Sequence, residues 1–372
     1  MTWPVLALSA LTLCLVLVVI AGMYFVLLHH LYHEMDASDE MHFVTTEDGA
    51  RLALYRYRPR GDVRRHEPVF FCHGLGASKY NFDFDDTYSW ARRFAEAGFD
   101  VWIVDLRGAG LSTSPKRWNW CFDDYARYDV PAAIAHIRLR TGAEQVHWVG
   151  HSMGGMLLYA YLGVGGGKDV RSGVALGSPV RFSTTQGYEH SLRASWLLRY
   201  IPYVPIRTAI HLMIPLLPFL GRSSVLRSQL NPENTDLVYI RKVAYNAVHH
   251  LPPALLRQFT DWVRHDCFRS CDKETDYQAA LTTVDTPVFI LSGAGDQLVR
   301  PENAKYAYDL MPTAYNRYVE VGRAGGFGHD YGHIDLVFGR EANREVLPLV
   351  LEWTITQDDA VPAAAEPAPV LA

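Results

Sequence analysis

Charge is missing from the first part of this 372-residue chain, in which the first Asp, Glu, Lys or Arg is Glu34. Over the whole chain, 35 basic residues stand against 40 acidic ones. No block of Lys or Arg stands out, which argues against a nucleic-acid-binding protein. Cysteine is scarce too, since five residues without a C-x-x-C pair exclude a disulfide scaffold and give no sign of structural zinc. Cys267 and Cys271 are close enough in sequence to pair in an oxidising compartment, and two reduced thiols are the equal alternative.

The uncharged N-terminus contains an almost unbroken apolar run at residues 3–28. As a helix it would reach about 39 Å, enough to cross a hydrocarbon core of ~30 Å with some tilt. A core helix of this length would need a polar face, and a cleaved signal peptide would need a basic start and a shorter apolar segment. We therefore predict a single-pass transmembrane anchor at residues 1–30. Neither flank carries nearby Lys or Arg to set its orientation, and the acidic segment that follows hints that the rest is translocated.

Strand-like and helix-like segments alternate in the rest of the chain. Residues 43–46 and 51–57 predict a hairpin around Asp48-Gly49. Further apolar runs predict strands at residues 69–72, 101–104, 146–149, 174–176, 288–291 and 318–321. Because the strands alternate with helices, the pattern predicts an α/β fold, with a mostly parallel sheet that helices cover on both faces.

The alternation stops at residues 182–283, which contain several prolines and many aromatic residues but no strand-like run. We predict a helical cap there, inserted between a first half of the core at residues 42–181 and a second half at 284–355. Its residues 196–220 are mostly apolar and are broken by prolines into short helices, which suits an acyl chain or a membrane surface. The alternative is that they only bury the cap against the sheet. Residues 356–372, rich in Ala and Pro, predict a disordered tail.

The pattern Gly150-x-Ser152-x-Gly154 directly follows a predicted strand and precedes a helix start. A nucleophile on such a sharp turn requires glycines on both sides, because side chains there would collide with the neighbouring strand and helix. The turn would also place the Met153 N–H at the positive helix N-terminus, beneath a developing oxyanion. We predict Ser152 as the nucleophile and expect His151 to face the other way, as a packing residue. The alternative is a glycine-rich connection without reactivity.

A serine nucleophile needs a base, and the base needs an orienting acid, here in the chain order Ser, acid, His. Asp296 follows the strand predicted at residues 288–291 and is the expected acid, whereas Asp285 lies on the wrong side of that strand. His329 and His333 both follow the last strand. We favour His333 as the base, because it opens a run that leads towards the final helix, and keep His329 as the alternative base.

A second oxyanion donor is expected in the glycine-rich loop after residues 69–72, where position favours the Leu75 N–H. Asp105 and Arg107 lie in another glycine-rich turn, and we expect them to be structural ions rather than catalytic groups. The predicted chemistry uses side chains and backbone N–H groups, so we expect neither a metal nor an organic cofactor.

Together these motifs resemble the α/β-hydrolase superfamily over residues 43–355, with the cap where that family inserts its lids. The likeness is carried by His-Gly-x-Gly after a strand, Asp-x-Arg-Gly-x-Gly-x-Ser, Gly-His-Ser-Met-Gly-Gly, Gly-x-Gly-Asp and the late histidine. The segment after His333 is similar to acid lipases and to polyhydroxyalkanoate-synthase-like members. Those synthases generally use Cys as the nucleophile, and epoxide hydrolases and haloalkane dehalogenases use Asp, so Ser152 argues against all three activities.

We therefore expect a membrane-anchored serine hydrolase that cleaves lipophilic carboxylic esters, like a lipase or lysophospholipase, through an acyl-enzyme. Its partners would be the lipophilic ester and the membrane, and no nucleic acid. One alternative is an acyltransferase or thioesterase that uses the same triad. The other is a catalytically silent lipid-binding protein, against which the retained Ser, Asp and His in the right order argue.

Overall fold

The computed structural model describes residues 3–182, 195–220, 223–312 and 314–360. These residues contain an eight-stranded sheet. Its strands are β1 Glu40–Thr45, β2 Arg51–Tyr57, β3 Val69–Cys72, β4 Val101–Asp105, β5 Val146–His151, β6 Val170–Leu176, β7 Val288–Gly293 and β8 Arg317–Val321. Their order across the sheet is β1-β2-β4-β3-β5-β6-β7-β8.

The sheet is mostly parallel, as predicted. β1 and β2 form the expected antiparallel hairpin, β2 is antiparallel to β4, and every later pair is parallel. β6 begins earlier than the predicted residue 174, because Val170 and Ser172 already pair with β5. The polar residues Arg171 and Ser172 hide this first part of the strand from a search for apolar runs.

Helices connect the strands and form most of the segment between β6 and β7. The α-helices are α1 Trp3–Tyr32, α2 Trp90–Glu96, α3 Phe122–Asp124, α4 Val130–Thr141, α5 Met153–Gly163, α6 Ile206–Met213, α7 Leu217–Leu220, α8 Ser224–Arg227, α9 Leu237–Ala247, α10 Pro253–His265, α11 Tyr277–Ala280, α12 Pro301–Leu310, α13 Asp335–Phe338, α14 Ala342–Glu345 and α15 Leu347–Asp359. Short 3₁₀ turns lie at Lys79–Asn81, Gly166–Asp169, Ser195–Arg199, Ile214–Leu216, Leu281–Thr283 and Arg323–Gly325, and a π-helical turn lies at Tyr125–Asp129.

Apolar cores lie on both faces of the sheet, which explains the nearly continuous apolar runs of its central strands. Phe70 and Trp148 belong to the core that includes side chains of α4 and α5. Their chain neighbours Phe71 and Val149 point to the opposite face, into the core that includes α2 and α15. The predicted sheet with helices on both faces is therefore confirmed.

The predicted division into anchor, core halves, cap and tail stays a prediction, and the observed elements lie along it as follows. Where the structure describes it, the segment between β6 and β7 is helical, from α6 to α11. Residues 183–194 of the predicted cap and 361–372 of the predicted tail lie outside the described residues. Helix α15 continues to Asp359, past residue 355, at which the second core half is predicted to end.

Helix α1 contacts the folded body at its C-terminal end. Among the described residues, Val5–Tyr32 is the one helix long and apolar enough to cross a membrane, a test that a signal sequence also passes. Leu28 is buried together with Tyr245 of α9. The Tyr24 hydroxyl donates a hydrogen bond of 2.7 Å to the backbone carbonyl of His211 in α6. The last turns of α1 therefore pack on two helices of the predicted cap.

The segment after α1 is also held against the body. The Asn246 side chain donates to the Tyr32 carbonyl at 2.7 Å and accepts from the Glu34 N–H at 3.0 Å. The Asp36 carboxylate pairs at 2.8 Å with the ammonium of Lys79, whose side chain is buried. The segment that joins α1 to the core is thus packed against the body rather than being a flexible linker. The sequence of this segment does not indicate these contacts.

Asp105 and Arg107 make the structural contacts that were expected of them. The buried Arg107 guanidinium pairs with Asp129 at 2.6 Å and with Asp48 at 2.7 Å. The Asp105 carboxylate accepts a hydrogen bond of 2.9 Å from the Tyr55 hydroxyl. These contacts fix the turn after β4 to the hairpin of β1 and β2.

Candidate active site

Ser152 occupies the sharp turn between β5 and α5. Its φ of 54° and ψ of −118° form a conformation that costs a non-glycine residue about 1–3 kcal/mol and persists only where the surroundings impose it. The Ser152 N–H donates a hydrogen bond of 2.8 Å to the carbonyl of Leu176, the last residue of β6. This bond holds the turn against the neighbouring strand.

The two glycines of the motif are needed for the reason predicted from the sequence. A Cβ at Gly150 would lie 2.4 Å from the backbone of Gly154, and one at Gly154 would lie 2.0 Å from the Cys72 carbonyl oxygen. Both obstacles are backbone atoms, which cannot rotate away as a side chain can. A Cβ at Gly74 would lie 3.1 Å from the Ser152 Cβ, so the loop after β3 runs directly against the serine.

Asp296 and His333 form a buried pair. One carboxylate oxygen of Asp296 lies 2.8 Å from His333 Nδ1, and the other accepts from the N–H groups of Leu298 and Val299 at 2.9 and 2.7 Å. Because the ionised carboxylate can only accept, this contact assigns the proton to Nδ1 in the neutral ring and leaves Nε2 with a free lone pair. The structure thus brings together the predicted acid and the favoured base.

The loop that carries His333 is fixed by the aspartate two residues later. Asp335 is fully buried, and its carboxylate accepts from the N–H groups of Gly332 and Asn231, both at 2.9 Å, and from the Asn234 amide at 3.1 Å. Burial raises the pKa of Asp335, and these hydrogen bonds oppose the rise. Asp335 therefore ties the His333 loop to residues of the predicted cap.

The alternative base, His329, lies elsewhere. Its side chain is half-buried, and among the described residues its Nδ1 has no hydrogen-bond partner. The carboxylate of the neighbouring Asp330 accepts from the Arg323 N–H at 2.8 Å rather than pairing with a histidine. Asp285, the substitute acid, is exposed ahead of β7.

The expectation that His151 faces away from the site is wrong. His151 is buried, its ring centroid lies 4.9 Å from that of His333, and its Nε2 lies 3.1 Å from the His333 carbonyl oxygen. Its Nδ1 lies 3.1 Å from the Asn81 side-chain oxygen, which also accepts from the Gly74 N–H at 3.1 Å. Burial lowers the pKa of His151 to about 3, so the ring is neutral. Asn81 was missed because no motif surrounds it in the sequence.

A cavity of about 1070 Å³ opens above Ser152 and His333, both of which line it. Among the described residues that line the cavity, and apart from the histidines, Arg181 has the one charged side chain. Apolar side chains of the segment between β6 and β7 form much of the wall, among them Ile206, Ile210, Met213, Leu217, Leu226, Ile240 and Val243. Within the described residues no hydrogen bond joins Ser152 Oγ to His333, a contact that in related catalytic pairs often shortens only when substrate binds.

The two predicted oxyanion donors flank Ser152. As the first residue of α5, Met153 has an N–H without an intrahelical acceptor. Leu75 lines the cavity next to Gly74, and in the part of the chain that the structure describes its N–H donates to no acceptor. Neither N–H group therefore has an acceptor among the described residues.

Comparison with known proteins agrees with the observed fold. The sequence profile of the α/β-hydrolase fold family matches residues 67–331. Lipase lipl-1 of Caenorhabditis elegans is 25% identical, over 83% of this chain and 86% of that lipase. Gastric triacylglycerol lipase of Rattus norvegicus is 38% identical over a shorter stretch, 30% of this chain and 31% of the lipase.

Solved structures share the fold. An esterase of Thermogutta terrifontis superimposes with a TM-score of 0.55 at 18% identity, over 86% of this chain and 99% of the esterase. A bacterial membrane phospholipase A gives a TM-score of 0.52 at 18% identity, over 96% of this chain and 97% of its own. The lipase relatives support an ester-cleaving hydrolase. By the profile match over most of its length, the chain belongs to the α/β-hydrolase fold family.

Proposed function

We propose that this protein is a membrane-anchored serine hydrolase that cleaves lipophilic carboxylic esters through an acyl-enzyme. The observation that carries the proposal is the buried Asp296–His333 pair, 2.8 Å between carboxylate and Nδ1, in a cavity that Ser152 also lines. A carboxylate that holds the imidazole tautomer beside a serine on a strained turn is the arrangement that acyl transfer requires.

In the proposed reaction, Ser152 Oγ attacks the ester carbonyl while His333 Nε2 takes the hydroxyl proton. Asp296 holds the Nδ1–H and stabilises the imidazolium. The Leu75 and Met153 N–H groups donate to the oxyanion, where one such donor contributes about 10²–10³ in kcat. His333 then protonates the leaving alcohol, and water, activated by the same imidazole, hydrolyses the acyl-enzyme.

The apolar lining of the cavity supports the proposal that the acyl group of the substrate is lipophilic and binds there. Its volume of about 1070 Å³ is at the upper end for small-molecule sites, and Ile210 and Met213 of α6 contribute to its wall. Burial of each additional methylene in such a wall is worth about 0.8 kcal/mol. A long acyl chain would therefore gain more from this cavity than an acetyl group.

The membrane part of the proposal is supported by the apolar surface that surrounds the end of α1. On α6 and the turns after it, Leu212, Met213, Leu216 and Phe219 are exposed. These side chains belong to the helices against which Tyr24 and Leu28 pack. An exposed apolar patch continuous with an apolar helix is typical of a surface that lies on a bilayer.

We expect kcat/KM for p-nitrophenyl esters to be at least about tenfold higher for decanoate than for acetate, since several methylenes become buried. Ile210→Ser should lower the decanoate value and leave the acetate value unchanged. Leu212→Ser is the matched control, because Leu212 lies on the same helix but is exposed. A preference for acetate, unchanged by Ile210→Ser, would contradict the lipophilic substrate.

We expect the full chain to stay in the membrane pellet during alkaline carbonate extraction. A chain that begins at Asp39 should be released, because it lacks α1. Its melting temperature should fall by a few degrees, since it also loses the Leu28 and Tyr24 contacts with α9 and α6. Recovery of the full chain wholly in the soluble fraction, or removal of its N-terminus by a signal peptidase, would refute the anchor.

A further inference from the structure

Two cysteines that are far apart in the sequence lie together away from the cavity. Cys121 precedes α3, and Cys271 lies in the loop between α10 and α11, where the chain returns towards β7. The two Sγ atoms and a carboxylate oxygen of Asp123 all lie within 4.8 Å of one another. Cys121 is partly buried and Cys271 is exposed.

The backbone around this pair is held by hydrogen bonds that centre on Asp123. One carboxylate oxygen of Asp123 accepts from the Cys271 N–H at 2.7 Å. The other accepts from the Gln258 amide and from the Tyr277 hydroxyl, both at 2.9 Å. The two loops are thus fixed side by side, with the two sulfur atoms within 4.8 Å of each other.

A metal site explains this cluster less well than a disulfide does. Both oxygens of Asp123 already accept hydrogen bonds, and the group offers three ligand atoms among the described residues, whereas structural zinc takes four. Two thiols whose sulfur atoms lie within 4.8 Å of each other need no further ligand to react.

We propose that Cys121 and Cys271 form a disulfide that fastens the end of the cap to the core. The oxidant is a small-molecule or protein disulfide, of the kind present in oxidising compartments. This pairing differs from the sequence-based alternative of Cys267 with Cys271. In the structure, Cys121 Sγ lies within 4.8 Å of Cys271 Sγ.

The exchange balances as two successive thiolate attacks. Cys271, the exposed thiol, loses its proton and attacks the oxidant, which releases one thiol and leaves a mixed disulfide. Cys121 then loses its proton and attacks Cys271 Sγ, which releases the second thiol. The two cysteines give up two electrons and two protons, and the oxidant becomes two thiols. Cys271 reacts first because it is exposed to the oxidant, whereas Cys121 is partly buried.

The test uses the full chain in detergent, purified with a reductant and then equilibrated with excess oxidised glutathione. Free thiols are alkylated, and the protease digest is analysed by mass spectrometry without reduction. We expect the Cys121 and Cys271 peptides to be linked and Cys267 to be alkylated. The melting temperature should rise by about 5 °C on oxidation, because the crosslink restricts the unfolded chain.

Cys121→Ser and Cys271→Ser should each abolish the rise in melting temperature, and Cys267→Ser should retain it as the matched control. Alkylation of both cysteines after oxidation would overturn the proposal, as would a Cys267–Cys271 link or glutathione retained on Cys271. A rise in melting temperature of the reduced protein with Zn²⁺, lost in both variants and with no disulfide formed, would overturn it in favour of a metal site.

Discussion

Replacing Ser152 with Ala should lower kcat for ester hydrolysis by about 10⁴-fold or more, because the acyl-enzyme then has no atom on which to form. The protein should still fold. The turn keeps its glycines and its hydrogen bond to Leu176, and alanine adopts the positive φ at no greater cost than serine. The measurement is kcat with a p-nitrophenyl ester, together with the melting temperature of each protein.

Ser223→Ala is the matched control for this substitution. Ser223 lines the same cavity, but its hydroxyl accepts from the Leu226 N–H at the start of α8 rather than lying on the strand-to-helix turn. We expect it to lose about 1 kcal/mol of stability as a lost N-cap and to keep kcat within a few-fold. Activity of Ser152→Ala within about tenfold of the unaltered protein would rule out Ser152 as the nucleophile.

Replacing His333 with Ala should lower kcat about as far as Ser152→Ala does, because members of a catalytic triad fail as a unit. The reason is its contact with Asp296, which fixes the ring and its tautomer. His329→Ala should change kcat by about tenfold or less, through the position of the shared loop. Steady-state kinetics of both variants with the same ester gives the comparison.

His333→Gln keeps a hydrogen-bonding side chain at this position. It therefore tests whether His333→Ala is inactive only because the site has collapsed. It should be as inactive as His333→Ala, since an amide cannot take the serine proton. If His329→Ala instead caused the large loss and His333→Ala did not, His329 would be the base. The argument from Asp335 would then fail, while the assignment of Ser152 would stand.

The strands could be predicted because their apolar runs are short, buried and bounded by turn residues. β3 was predicted with its observed bounds at residues 69–72, and β7 within two residues of its end. The first half of β6 could not be predicted, because Arg171 and Ser172 interrupt the apolar pattern while still pairing with β5 or continuing the strand. Pairing with β5 stabilises this part of the strand, although its own sequence lacks the apolar pattern of a buried strand.

The candidate site, like the sheet, could be predicted from the sequence only in part. Ser152, Asp296 and His333 each follow a strand in a recognisable loop, so their local signals suffice to propose them together. The contacts of His151 with His333 and Asn81 join loops that are distant in the sequence. No local sequence pattern indicates such contacts. The packing of α1 on α6 and α9 has the same cause, since a uniformly apolar helix carries no sign of which side is buried.

If Ser152 is a nucleophile activated by His333, a fluorophosphonate probe should react with its hydroxyl and form a stable covalent adduct. The full chain in detergent is treated with the probe, digested and mapped by mass spectrometry, with and without a long-chain ester as competitor. We expect a single phosphonylated peptide that carries the adduct on Ser152. Competition by the ester should slow its formation, and His333→Ala should reduce it by at least about 10²-fold. An adduct on another residue, or equal labelling of Ser152→Ala, would show that Ser152 is not the nucleophile.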